Sequence, residues 1–353
     1  MEDSSVSNIE INSSIKDYFV NFCDHKKVIE KYRDEEVIFV IDDYLYDSRK
    51  DFLDTVNFVK LSASEWQKSY DGAKELIEKL LDLGVTRRTK LVAMGGGVTQ
   101  DVTSFVSSIL FRGIEWVFIP TTLLSQGDSC IGSKTSINFA GYKNTLGNFY
   151  PPSAVYIDVT FLDTLSHEQR MSGFGELLHY VMIAGDDSLS LFKKCFSDET
   201  PILKLISRCL SIKEKFIEND EFDTGERIIL NYGHSFGHAI EGALNNEIPH
   251  GIAVAYGMDC ANYISYTQGF MSKDDYKKYN KIMSKIYKTF SIENLSIDDM
   301  ITCLKKDKKN TKTDYRFILC EKAGVMFVKN MVKGEIVKNY ITNWKELIRH
   351  GLD

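Results

Sequence analysis

The sequence predicts an α/β N-terminal domain followed by an all-α C-terminal domain, and three observations carry that expectation. In the first 160 residues, short and almost continuous apolar runs alternate with stretches whose apolar residues recur at helical spacing. Parallel strands buried on both faces and joined by crossover helices read this way. From Ser166 onward the strand-sized runs give way to long segments with apolar residues every three to four positions. Between the two regimes stand Pro151, Pro152 and the strand-like AVYIDVTFL, so the division falls at residues 1–160 and 161–353.

Bulk composition narrows the class. A chain of 353 residues can bury two cores, and 43% hydrophobic with 26% charged residues is ordinary for a soluble enzyme. The net charge is −7 with Lys and Arg scattered, which argues against nucleic acid as a partner. No apolar run nears the ~20 residues that span a bilayer. The opening MEDSSVSNIEINSS is acidic and polar, unlike a secretory signal. Seven widely spaced cysteines with no CxxC read as reduced thiols, so a cytoplasmic protein is expected.

Taken in order, the residues before Val37 suggest a peripheral strand and a helix. EEVIFVIDDYLYD is a buried strand ending in Asp42 and Asp43, which can hold a ribose or simply form the turn. KSYDGAKELIEKLLDLGV is a helix stopping at Gly84. TKLVAM, a second strand, runs into Gly95, Gly96 and Gly97 and then the helix VTQDVTSFVSSILF. Strand, glycines, helix is the order that sets bare N–H groups against a pyrophosphate, although three glycines also make a tight turn. IEWVFIPTTLL opens onto Thr121 and Thr122. The polar stretch SQGDSCIGSKTSINFAGYKNTLGNFYPP follows, with Asp128, Lys134, Asn138, Lys143 and Asn144 suited to phosphate and hydroxyl groups.

The helical half carries the histidines. In IILNYGHSFGHAIEGALNNEIPHG, His234 and His238 are four residues apart on one helix face, and His250 follows Pro249. Three histidines so close suggest a metal or anion site. Glu176 and His179 stand i,i+3 on an earlier helix, as a metal or acid–base pair or as a surface pair. The run at Lys305, Lys306, Lys308 and Lys309 has the form of a solvated loop.

Six stretches together are more specific. GGGVTQD, RGIEWVFIPTTLLSQGDSCIGSKTSIN, GYKNTLGNFYPP, GFGELLHY, NDEFDTGERIILNYGHSFGHAIE and PHGIAVAYGM resemble, in order, the 3-dehydroquinate synthases and their sugar-phosphate cyclase relatives, over about Val37 to Gly324. The resemblance implies a dehydroquinate synthase-like fold, an NAD-binding α/β domain joined to a helical metal-binding domain with the active site in the cleft between them. It places the ligands of one divalent metal, Zn or Co, on Glu176, His234 and His250, so the i,i+4 pair does not bind together. His238 matches instead a residue that touches the substrate near its phosphate. Gly95, Gly96, Gly97 and Asp101 match the NAD pyrophosphate segment, Asp42 the acidic end of the early strand, and Glu65 and Lys68 a cofactor-contacting element. Thr121 and Thr122 lie in the cofactor segment. Asp128, Lys134, Lys143 and Asn144 match substrate or cofactor positions, as do Lys213, Arg227, Asn231 and one of Lys308 or Lys309. Arg112 matches an arginine that reaches the neighbouring subunit's active site, which implies a homodimer.

The activity implied is conversion of 3-deoxy-arabino-heptulosonate 7-phosphate to 3-dehydroquinate and phosphate, through transient NAD oxidation, elimination, reduction and aldol closure. Two departures stand out. His179 replaces a lysine expected near the substrate hydroxyls, and Ser133 and Ser136 replace glycines. Lys213 and Arg227, which match a carboxylate-gripping pair, persist. The alternatives are a cyclase for another sugar phosphate, of the deoxy-inosose or valiolone type, a metal-dependent polyol dehydrogenase, and an idle nucleotide-binding relative.

Overall fold

The computed structural model describes residues 6–33, 35–48, 55–307 and 309–350. Two compact units emerge: Met1–Leu165 with Lys213–Phe222, and Ser166–Ile212 with Asp223–Asp353.

The first unit is built on a seven-stranded sheet in the order β1-β2-β9-β6-β5-β3-β4. Its strands are β1 (Ile9–Ile11), β2 (Tyr18–Phe22), β3 (Val37–Asp42), β4 (Phe58–Leu61), β5 (Lys90–Gly95), β6 (Trp116–Pro120) and β9 (Ala154–Ile157). Only β1 pairs antiparallel; every other neighbour in this sheet is parallel. VIFVID, KLVAMG and WVFIP are apolar throughout because both faces of these strands are covered, with Val40, Val92 and Phe118 fully buried. The strand order reverses at β3: β4 lies on one side of it and β5 on the other. Since Ile41 pairs with Met94, Asp42 and Gly95 come next to each other at the carboxyl edge, where open α/β sheets receive ligands.

Around this sheet lie α1 (His25–Tyr32), α2 (Asp43–Ser48), α3 (Tyr70–Asp82) and α4 (Gly97–Ile109). Ser69 caps α3 by accepting from the N–H of Gly72, whereas α4 starts at Gly96 with no side-chain cap. A hairpin of β7 (Ile137–Phe139) and β8 (Tyr142–Leu146) turns through Ala140 and Gly141 at φ +51° and +79°, the left-handed pair a two-residue turn needs. The expectation of one strand and a helix before Val37 undercounts: two strands precede α1.

The second unit is mostly helical, with α5 (His167–Ala184), α6 (Asp186–Phe196), α8 (His234–Ala243), α9 (His250–Thr267), α10 (Lys273–Tyr287), α11 (Ile297–Lys305) and α12 (Glu335–His350). Helix α7 (Ile202–Asn219) begins in this unit and ends in the first. Helix α9 is apolar on all sides and buried over nearly its whole length, as a central helix must be. The expectation of an all-helical half misses one antiparallel hairpin, β10 (Asp314–Lys322) with β11 (Val325–Val332). Tyr315, Phe317 and Leu319 alternate inward along β10, and Gly324 turns the chain at φ +86°. No helix among the described residues is long and apolar enough to cross a membrane.

Candidate active site

Helices α5, α8 and α9 bring together Glu176, His234 and His250, and each of the three stands beside a glycine in the chain. A Cβ on Gly175 would strike the carbonyl of Gly251, and one on Gly251 the carbonyl of Ser172. A Cβ on Gly257 of α9 would strike the carbonyl of Gly233. Backbones approach here to a distance no side chain permits, and this brings ligand-length side chains face to face. Gly233 also turns the chain into α8 at φ +79°.

His234 Nε2 lies 3.4 Å from Glu176 Oε1, and His250 Nε2 lies 3.5 Å from Glu176 Oε2. One ligand atom from each side chain falls within 4.8 Å of the others. The far nitrogens face acceptors: His234 Nδ1 is 3.3 Å from the carbonyl of Tyr232, and His250 Nδ1 is 3.2 Å from Glu241 Oε2. Assigning the imidazole protons to those acceptors leaves both Nε2 lone pairs turned to the carboxylate. Glu176 is 2% exposed, and its Oε2 has no hydrogen-bond partner. Burial pushes its carboxyl up; when His234, His250 and His179 carry protons, their charge outweighs that and holds it well below the usual carboxylate range.

His179 is fully buried, with Nδ1 3.8 Å from Glu176 Oε1 and its ring 4.8 Å from that of His234. The ring of His238 reaches solvent and stands 5.6 Å from those of His234 and His250. Desolvation depresses its basicity, and charge on His234 or His250 would push it the same way, so it is neutral at pH 7. Asn231 Oδ1 accepts from Lys309 Nζ at 3.2 Å; that ammonium also pairs with Asp307 at 3.0 Å, which accepts from Ser235 at 2.9 Å. Arg227 is buried on the short helix Glu226–Asn231. Lys308 lies outside the described residues.

The first unit holds the remaining candidates. Gly95 and Gly96 form the turn between β5 and the uncapped start of α4, where a Cβ would crowd Thr99 and Thr122, while the Cβ direction of Gly97 is open. Lys68 Nζ meets Asp101 Oδ2 at 2.6 Å. Desolvation raises the Asp101 carboxyl against the pull of Lys68. Glu65 Oε1 accepts from Asn138 at 2.7 Å, which ties the cofactor candidates to the hairpin bearing Lys143 and Asn144. Thr121 is bonded through its backbone N–H to the carbonyl of Gly95, and Thr122 Oγ1 is 2.8 Å from Ser125 Oγ. Asp42 accepts from the N–H of Tyr44 and Leu45, so it already caps α2. Asp128 sits on a single π-helical turn, Ser125–Ser129, and accepts from Lys213 at 2.8 Å. Lys134, Lys143 and Asn144 are exposed, as is Arg112, held at φ +66° after Phe111 at +51°.

Sequence reasoning missed Glu241, the Tyr232 carbonyl, and the Ser235 and Asp307 side chains that hold Lys309. An acidic residue three positions after His238 was the available signal for the first; backbone carbonyls leave none. The buried pair His25–Asp158, 2.6 Å apart, was missed too. Asp158 also accepts from the His25 N–H and twice from Thr160, a saturated structural cap.

Comparison with known proteins identifies the family and the fold. The family model described as 3-dehydroquinate synthase N-terminal matches residues 58–172, and the 3-dehydroquinate synthase C-terminal model matches 173–310. A 3-dehydroquinate synthase of Dictyoglomus thermophilum is 35% identical over 94% of this chain and 96% of its own. A 2-deoxy-scyllo-inosose synthase, solved with carbaglucose-6-phosphate, NAD+ and Co2+, superposes with TM-score 0.81 at 25% identity, covering 98% of this chain and 100% of that one. The 2-epi-5-epi-valiolone synthase of Streptomyces hygroscopicus, with NAD+ and Zn2+ bound, shares the fold at TM-score 0.83 and 23% identity, covering 97% and 99%. The architecture is that of the sugar-phosphate cyclases. Within them, the chain belongs to the 3-dehydroquinate synthase family.

Proposed function

We propose that this protein is a 3-dehydroquinate synthase, a phosphorus–oxygen lyase acting on 3-deoxy-arabino-heptulosonate 7-phosphate with NAD and one divalent metal ion. The observation that carries the reading is that the Nε2 atoms of His234 and His250 face the two oxygens of the buried Glu176 carboxylate, whose Oε2 accepts nothing. Such a set is short of one cation, and two imidazoles with a carboxylate suit zinc or cobalt and leave positions for substrate oxygens. A bound divalent ion would polarise the substrate's hydroxyl and carbonyl oxygens. Bound NAD would supply a hydride acceptor that the same turnover regenerates.

The chain's own residues divide the remaining work. The glycine turn at Gly95, Gly96 and Gly97 offers main-chain N–H groups to the pyrophosphate, with Asp101, Lys68, Glu65, Thr121, Thr122, Lys143 and Asp42 completing the cofactor site. Lys134, Asn144, Arg112 and neutral His238 bind the phosphate end of the substrate. Asn231 and Lys309 bind hydroxyls, Lys213 and Arg227 take the carboxylate, and Asp128 orients Lys213. His179 acts from behind the carboxylate of Glu176. The supply of Arg112 from a second copy makes the enzyme a homodimer, and the cytoplasm is its compartment. Incubation with that heptulosonate phosphate, NAD and zinc or cobalt releases inorganic phosphate if the reading holds; no release overturns it.

One observation favours a second reading. Lys213 spends its ammonium on the side chain and carbonyl of Asp128, both at 2.8 Å, so one of the two proposed carboxylate-binding cations is already matched by an anion. A cyclase for a sugar phosphate without a carboxylate would use such a pair. Phosphate release from a panel of hexose and heptulose phosphates separates the two readings.

A further inference from the structure

The metal-site reading leaves the Glu241 carboxylate without a role, although it is only 8% exposed and meets a proposed ligand. It stands on α8 three residues after His238 and seven after His234, so it shares their helix face. The His250 ring is held between two carboxylates: Nε2 faces Glu176 Oε2 at 3.5 Å, and Nδ1 faces Glu241 Oε2 at 3.2 Å. A neutral imidazole carries one proton, and either carboxylate could accept it. If Nε2 held it, no lone pair would point to the metal. For His234 the backbone decides, because the Tyr232 carbonyl can only accept from Nδ1. For His250 the acceptor that faces Nδ1 is the Glu241 carboxylate.

We propose that Glu241 is a positioning residue that fixes the proton of His250 on Nδ1 and so keeps Nε2 aimed, unprotonated, at the cation. This rests on the metal-site reading above and deepens it. A carboxylate behind a ligating imidazole also raises the donor strength of the ring, which a carbonyl behind His234 does less. Glu241 acts through His250 and not as a ligand, even though His238, Glu241 and His250 also lie within 4.8 Å of one another.

The test is zinc affinity, by chelator competition, and the visible spectrum of the cobalt form, in wild type, Glu241→Gln, Glu241→Ala and His238→Ala. The nearly isosteric Gln side chain can turn its amide N–H to Nδ1 and favour the wrong tautomer, so it weakens zinc about 10-fold or more, and Ala weakens it within the ~10–100-fold range of such partners. The cobalt bands of Glu241→Gln shift at saturating metal, an effect that a merely structural role would not produce. His238→Ala keeps wild-type affinity. Glu241 variants that hold zinc as tightly as wild type, with unshifted cobalt bands, overturn the proposal. So do two ions per wild-type chain with the second lost in both Glu241→Gln and His238→Ala, which would make Glu241 a ligand. A wild type that binds no divalent ion overturns the underlying site, a distinguishable result. If Glu241→Ala fails to fold, Glu241→Gln alone decides.

Discussion

Gly175 and Gly251 meet main chain to main chain, and the two residues beside them, Glu176 and His250, face each other because of it. A methyl group at position 251 must displace the Ser172 carbonyl, which belongs to a buried helix and cannot move as a side chain would. Gly251→Ala is therefore expected to cost about 1–3 kcal/mol of stability. It should also weaken zinc binding, because α5 and α9 are forced apart. Thermal unfolding and metal content of the purified variant check both, and an unchanged metal content would refute the close-approach argument.

Removing ligands should sort the histidines. His250→Ala and His234→Ala each lose the ion on gel filtration, with affinity down at least ~100-fold, since two donors remain. His238→Ala retains the metal and loses turnover. Metal analysis beside phosphate-release assays reads this out; metal retained in all three variants would show the ligand set to be wrong.

Asp259 gives a pH-dependent stability. It is fully buried on α9, and desolvation pushes its carboxyl up to about 6 despite hydrogen bonds from Trp344, Asn280 and Tyr287. A folded-state value above the unfolded one means the native state holds the proton more tightly. Its contribution is therefore full below about pH 4 and is lost as pH rises through 6, a span on the order of 3 kcal/mol. Asp259→Asn should erase that slope: the wild type loses stability relative to the variant between pH 4 and 7. Denaturant melts of both proteins at several pH values measure it, and parallel curves would contradict the assignment.

The Lys68–Asp101 pair makes a prediction about the cofactor. Both side chains are mostly buried, so Lys68→Met leaves a desolvated carboxylate without its cation. The KM for NAD should rise about ten-fold or more and thermal stability should fall. Adding Asp101→Asn should recover the stability but not the affinity, which separates the ion pair's structural part from its contact with the dinucleotide.

Much of the fold was legible because burial on both faces writes itself as unbroken apolar runs, as in VIFVID and WVFIP. The hairpin at Tyr315 escaped because a lysine-rich run precedes it, and inward alternation over a few residues is a weak signal beside that charge. The site divides the same way. The spacing of His234 and His238 pointed to a metal, yet a shared helix face does not decide which ring turns toward Glu176, a residue 58 positions before His234. That assignment came from resemblance. Glu241 and the Tyr232 carbonyl escaped because their roles depend on which nitrogen they face, a matter of ring orientation that no spacing encodes.

Helix α7 has a consequence for anyone wishing to dissect the molecule. Its last turns, with the residues up to Phe222, group with Met1–Leu165 and supply Lys213 to Asp128 and the Glu221 carboxylate to Ser13 and Ser14. A fragment ending at Leu165 would lack both, so scissors applied once between the halves yield an incomplete front piece. Excising that portion intact takes a splice: the Lys213–Phe222 segment must be grafted back or provided as a peptide.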